Sequence, residues 1–173
     1  EGKPDSNLHY QMQALQLARR MGDSLKVGSA LLNIGVSYRE SGDFPQAIAY
    51  CLRGKELLEK APDPRLKVTV NDVLQVLYQY QSEYGKSVQY GEKAVAAARK
   101  LTDKTLLAST LINLSMSYTE LKEYARSRQL LEEALRLSRQ LGNQRYEASA
   151  LLNLGGNALK EQDFNQLYTY AEK

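Results

Sequence analysis

Apolar residues recur along this chain at intervals of three and four, and no stretch of strand-like alternation is sustained. Over 104–143, Leu107, Leu111, Leu114, Tyr118 and Leu121 share one face of a helix, because 3.6 residues per turn returns a side chain to that face at this spacing. Lys122, Glu123 and Tyr124 interrupt the run. Leu130, Leu131, Ala134, Leu135, Leu137 and Leu141 then form a second stripe, closed by Gly142 and Asn143. Glycine tolerates the left-handed conformation that ends a helix. The segment is therefore predicted to be two amphipathic helices joined by a short turn. Pro45 falls where a second helix of this kind would begin, a position at which a missing N–H costs nothing. Pro62 and Pro64 are expected between helix pairs, and Pro4 near the terminus. The fold class expected is all-α, with about seven full helices.

The pair repeats every 40 residues. Phe44, Tyr84, Tyr124 and Phe164 form one register, and Tyr38, Tyr78 and Tyr118 a second with Ala158 in the fourth slot. Tyr10, Tyr50, Tyr90 and Tyr170 form a third, with Leu130 in the missing slot. Turn residues follow the same period at Gly22-Asp23, Pro62-Asp63, Thr102-Asp103 and Gly142-Asn143. The organisation expected is one solenoid over 1–173: a half repeat at 1–23, repeats at 24–63, 64–103 and 104–143, and a truncated repeat at 144–173, as in a segment of a longer protein. Small residues at Ala47, Ser87 and Ser127, and at Gly54, Ala94 and Ala134, would let the two helices of a pair cross closely. The tyrosines and phenylalanines would fill the space between one pair and the next. A single pair cannot bury its apolar face, whereas stacked pairs share a continuous core.

Composition narrows the function. The 173 residues include 23 Lys and Arg against 20 Asp and Glu, a net charge of +3, too mild for a dedicated nucleic-acid surface. No apolar run approaches the ~20 residues that span a bilayer, so no direct membrane insertion is expected. One Cys and one His leave no multi-residue metal site and little acid–base chemistry. His9 reads as an exposed surface residue. Cys51 reads as a buried, inert thiol, and it does not fix the redox compartment. Gly54-Lys55 and Gly85-Lys86 lack the upstream glycine of a phosphate loop. The chain is expected to be non-catalytic, with no cofactor and no metal.

The units resemble the tetratricopeptide repeat (TPR) family. The resemblance is carried by Leu31-x-x-Ile34-Gly35-x-x-Tyr38 followed by Gly42-Asp43-Phe44-Pro45-x-Ala47, and again by Leu151-x-x-Leu154-Gly155 with Asp163-Phe164. Leu74 with Tyr78, and Leu111 with Leu114 and Tyr118, are weaker copies. The 40-residue unit is similar to the longer variant of Pins-type adaptors, kinesin light chains and bacterial sensor or regulator proteins. The resemblance implies a right-handed superhelical solenoid of antiparallel helix pairs. It also implies a concave groove, lined by the first helix of each pair, that binds a peptide or a partner segment. The alternative it leaves open is a sensory or regulatory segment of a bacterial signalling protein such as a histidine kinase or transcription regulator.

Carrying the groove positions over gives ladders at Ser29, Thr69, Ser109 and Ser149, at Leu32, Asp72, Ile112 and Leu152, at Asn33, Val73, Asn113 and Asn153, and at Val36, Val76, Met116 and Gly156. Arg39, Glu40, Gln79, Tyr80, Thr119, Glu120 and Lys160 would lie toward the end of the groove. Among these, the amides of Asn33, Asn113 and Asn153 offer both donors and an acceptor to a peptide backbone. They could equally hold neighbouring helices of the solenoid together. The upstream slots at Ser29, Thr69, Ser109 and Ser149 lack the Lys and Arg that the family's clamp for a C-terminal carboxylate requires.

Overall fold

A computed structural model describes residues 4–171, with side chains from Asn7 onward. The described residues form nine helices and no strand: α1 (Pro4–Arg20), α2 (Ser24–Glu40), α3 (Phe44–Leu58), α4 (Pro64–Tyr80), α5 (Tyr84–Ala98), α6 (Thr105–Glu120), α7 (Tyr124–Gln140), α8 (Gln144–Lys160) and α9 (Phe164–Ala171). Each helix packs against the next in the chain. In addition α2, α4, α6 and α8 touch one another in succession, which makes the first helices of the pairs a layer of their own. The second helices α3, α5, α7 and α9 begin at 44, 84, 124 and 164, in strict 40-residue register.

The turns explain that regularity. Between first and second helices the chain passes through the left-handed region at Gly42, Ser82, Lys122 and Gln162, with φ near +60° to +80°. Only the first of these is glycine. The other three accept a conformation that costs a side-chain-bearing residue roughly 1–2 kcal/mol, because the packed helices on both sides dictate it. Gly22 and Gly142 end α1 and α7 in the same way. Aspartate or asparagine then caps the next helix: Asp23, Asp43, Asp63, Asn143 and Asp163 each accept a backbone N–H within three residues. Two prolines stand closer to helices than their spacing suggests, since Pro64 is the first residue of α4 and Pro4 the first of α1.

Ala47, Ser87 and Ser127 are fully buried, as are Ala94 and Ala134. At Gly54 a Cβ would lie 2.8 Å from the Gly28 carbonyl oxygen, so backbone meets backbone there. Deeper in the pairs, bulk is exchanged between helices. A Cβ on Gly35 would meet the Cys51 Sγ, and one on Gly91 would meet the Gln75 side chain at 2.5 Å. In the first pair the second helix fills the site; in the next the first helix does.

The aromatic registers are less uniformly buried than expected. Tyr78 and Tyr118 are buried, but Tyr38 is only partly so, and Tyr10 and Phe164 are exposed. Tyr38 stacks on Tyr50, and Tyr78 on Tyr90, inside their own helix pairs rather than between pairs. Phe44 on Tyr80, with ring centroids 5.1 Å apart, does bridge two pairs. A tyrosine with one apolar face and a polar tip can lie at the rim of a seam, so periodicity places it without burying it.

Candidate groove and its comparisons

The first helices build a cavity of about 550 Å³. α4 supplies Val76, Gln79 and Tyr80; α6 supplies Asn113, Met116, Thr119 and Glu120; α8 supplies Leu152, Asn153, Gly156, Asn157 and Lys160, with Tyr84 of α5 beside them. Met116 and Leu152 are exposed there, at 45% and 76%. Gly156 opens the wall, since a Cβ at that position would meet nothing within 4 Å. At the mouth the Lys160 Nζ reaches the Glu120 carboxylate at 2.7 Å.

Beneath the cavity runs a row of hydrogen bonds that repeats with the 40-residue period. The Gln79 Nε2 donates to the Asn113 carbonyl at 2.7 Å and to the Ser117 Oγ at 2.8 Å. Ser117 in turn meets the Ser87 Oγ at 2.7 Å. One repeat on, the Thr119 hydroxyl donates to the Asn157 Oδ1 at 2.6 Å, and the Asn157 Nδ2 donates to the Ser127 Oγ at 2.7 Å. A long side chain faces a short one in both sets, Gln79 with Ser117 and Thr119 with Asn157, and a serine from the second helix closes each. Ser87, Ser117, Ser127 and Asn157 are buried. Asn157 and Ser117 escape a reading of the sequence that looks for one repeated residue type, because what repeats is the summed length of two partners.

The predicted site residues fall into different surroundings. Val76, Met116, Asn113 and Asn153 line the large cavity. Asn33 and Ser29 line a separate, smaller one of about 280 Å³ between α1 and α2. The Asn113 Nδ2 donates to both Asp72 carboxylate oxygens, at 3.1 and 3.2 Å. The Asn153 Nδ2 donates to the Ser149 carbonyl of its own helix at 2.8 Å. Thr69, Ser109 and Ser149 turn their hydroxyls onto carbonyls one turn back. Val36 and Val73 are partly buried, and Val73 packs against the core cluster that contains Leu32. Leu32 and Ile112 are themselves buried, at 6% and 7%, and are core rather than groove surface.

The other candidates are readily placed. His9 is exposed. Cys51 is fully buried, and burial pushes its thiol up to about 12, so it stays protonated. No helix is long and apolar enough to cross a membrane among the described residues.

No curated protein matches the chain significantly. Among solved structures, BtubC (BKLC) of P. vanneervenii superposes with a TM-score of 0.82 at 20% identity, covering 99% of this chain and 72% of that one. A kinesin light chain-like repeat protein of Podospora anserina gives 0.82 at 11% identity, covering 98% and 84%. The Rap protein in complex with competence and sporulation factor gives 0.78 at 14% identity, covering 95% of this chain but 46% of its own. The chain likewise spans 45% of apo RapI. At such identities the likeness is one of fold: an all-α solenoid of antiparallel helix pairs. The "Tetratricopeptide repeat" family matches twice, over residues 30–65 and 75–140, which together take in more than half of the sequence. With the repeated helix pairs and their shared turns already in place, those matches mean that the chain belongs to the tetratricopeptide repeat family.

Proposed function

We propose that this segment is a non-catalytic binding module that takes a peptide or a partner protein's extended segment in the cavity between α4, α6 and α8. The fold is that of a protein-interaction scaffold, and the Rap neighbour is described in complex with a factor. The observation that carries the reading is the contrast within the cavity. Its polar row is already satisfied by internal bonds, while Met116 and Leu152 stand exposed above it. Exposed apolar side chains in a concave site give a ligand area to bury, at about 25 cal/mol per Å². Remaining donors and acceptors along the wall fix its orientation.

Gly156→Leu tests this directly. The new side chain fills the cavity without touching neighbouring atoms at its Cβ. A random short-peptide library displayed on phage is selected on the full chain, and the enriched peptides are titrated against both proteins. They are expected to bind the leucine variant at least about 10-fold more weakly, a difference of ~1.4 kcal/mol, with no loss of thermal stability. Equal affinity for both proteins, or no enrichment at all, overturns the reading.

A second reading, a sensory segment of a signalling protein, is favoured by one comparison. The chain also superposes on the Pyrococcus horikoshii signal transduction ATPase, whose tetratricopeptide repeat part is described as a sensor, at a TM-score of 0.81 and 17% identity, over 25% of that chain. The same groove would then report binding to another domain.

A further inference from the structure

We propose that the groove selects a segment bearing an organic cation, an ammonium or guanidinium group that pairs with the carboxylate of Asp72. This rests on the groove reading above and names the ligand chemistry of that site.

Asp72 is out of keeping with its own register. The equivalent positions are Leu32, Ile112 and Leu152, so packing one pair on the next does not call for a carboxylate. Leu32 and Ile112 are sealed in the core, whereas Asp72 keeps part of its surface open. It sits one helical turn before Val76, on the same face of α4 as that part of the cavity floor. Asn113 joins the two, since it lines the cavity and donates to both Asp72 oxygens.

The charge is poorly compensated. No Lys or Arg among the described residues forms an ion pair with Asp72. Burial raises its carboxyl above the ordinary aspartate value, and hydrogen bonds from Asn113 and Thr110 offset this only in part. The cation of the cavity wall, Lys160, is engaged with Glu120 at the far end. A partly desolvated carboxylate that lacks a cation gains more from one than a hydrated carboxylate would. The aliphatic stem of a lysine or arginine would lie along Val76 and Met116 with its head at Asp72, as such side chains do on apolar surfaces.

Three sets of measurements on the selected peptides test this. The first is whether they share a Lys, an Arg or an unblocked N-terminus. The second replaces the shared Lys or Arg by norleucine, or acetylates the N-terminus, which distinguishes a side-chain cation from a terminal amine. The third repeats each titration on Asp72→Asn, whose amide oxygen can still accept from Asn113. Removing the cation is expected to weaken binding to the unaltered protein roughly 10- to 100-fold, with the difference collapsing on the asparagine variant. Peptides that bind through the groove, by the Gly156→Leu criterion, but carry no shared cation overturn this proposal and leave the groove reading standing. So does a cation whose removal costs the same on both proteins. Peptides that ignore Gly156→Leu overturn both.

Discussion

The first seam between complete helix pairs, where α2 and α3 meet α4, differs from the seams that follow. At the positions of Gln79, Ser117 and Ser87, and of Thr119, Asn157 and Ser127, one repeat earlier stand Arg39, Leu77 and Ala47. Leu77 and Ala47 are completely buried in one apolar cluster. The later seams put hydroxyls and amides there and join them by bonds of 2.6–2.8 Å. The same backbone arrangement is thus held by apolar packing in one place and by a polar row in the next. Apolar packing stabilises through area and tolerates small shifts. A buried polar row stabilises less but accepts one register, because a slipped donor would be left unpaired at a cost of ~1–3 kcal/mol. The large cavity lies over the polar seams, where a fixed spacing between first helices would keep a binding surface in shape.

The largest expected effect breaks apolar packing beside the first seam. Tyr78→Ala removes a buried ring stacked on Tyr90 and should cost ~3–5 kcal/mol in denaturant unfolding. A loss under about 1 kcal/mol would mean that the ring is not core. Breaking the polar seam should cost less. Asn157→Ala removes two buried bonds, one to Thr119 and one to Ser127, and leaves those hydroxyls with each other and the Ser115 carbonyl; it is expected to destabilise by ~1–3 kcal/mol. A double variant with Thr119→Val should lose less than the sum of the two single losses, because the partners are removed together. Strict additivity would show that the row does not act as a unit.

A third prediction has the opposite sign. Gln75 is fully buried with both side-chain amide atoms unpartnered, a polar group left inside its helix pair without a row to join. Gln75→Met keeps the length of the side chain and removes those atoms, so unfolding should become harder by ~1–2 kcal/mol. A destabilised variant would mean that the amide is satisfied in solution.

The smallest effect is one of pH. The Asp72 carboxyl is raised in the folded protein, so folding is favoured most when it is protonated, below the unfolded carboxyl range. That contribution disappears as pH rises through the folded value. Asp72→Asn should therefore melt above the parent protein at neutral pH, and the gap should close toward about pH 3. Asp23, Asp63 and Asp103, held below the usual value by the hydrogen bonds of their caps and turns, slope the other way but are common to both proteins and cancel in the difference. A gap independent of pH would remove the carboxylate as its cause.

Much of this was legible in the chain. The registers at 38, 44 and 50 and their translations by 40 marked helix pairs, because a repeated backbone requires repeated shapes at each turn and crossing. The first-helix ladders named Val76 and Met116, the positions toward the end of the groove named Gln79, Thr119 and Lys160, and all five line one cavity. What failed was the equation of periodicity with burial. Tyr10 and Phe164 hold aromatic register positions and are exposed, at 67% and 57%, since the depth of a side chain depends on what the adjacent pair puts opposite it.

The amino-acid sequence alone determined the helix pairs, the turns that end them and the 40-residue unit, because these depend on residues close together in the chain. Tertiary structure alone decided that Asn113 answers Asp72 across 41 residues, that Asn157 closes a bond with Thr119 across 38, and that Asn33 stands apart from both. A side-chain amide bonds whatever lies within about 3 Å, and only the stacking of one pair on another sets what that is.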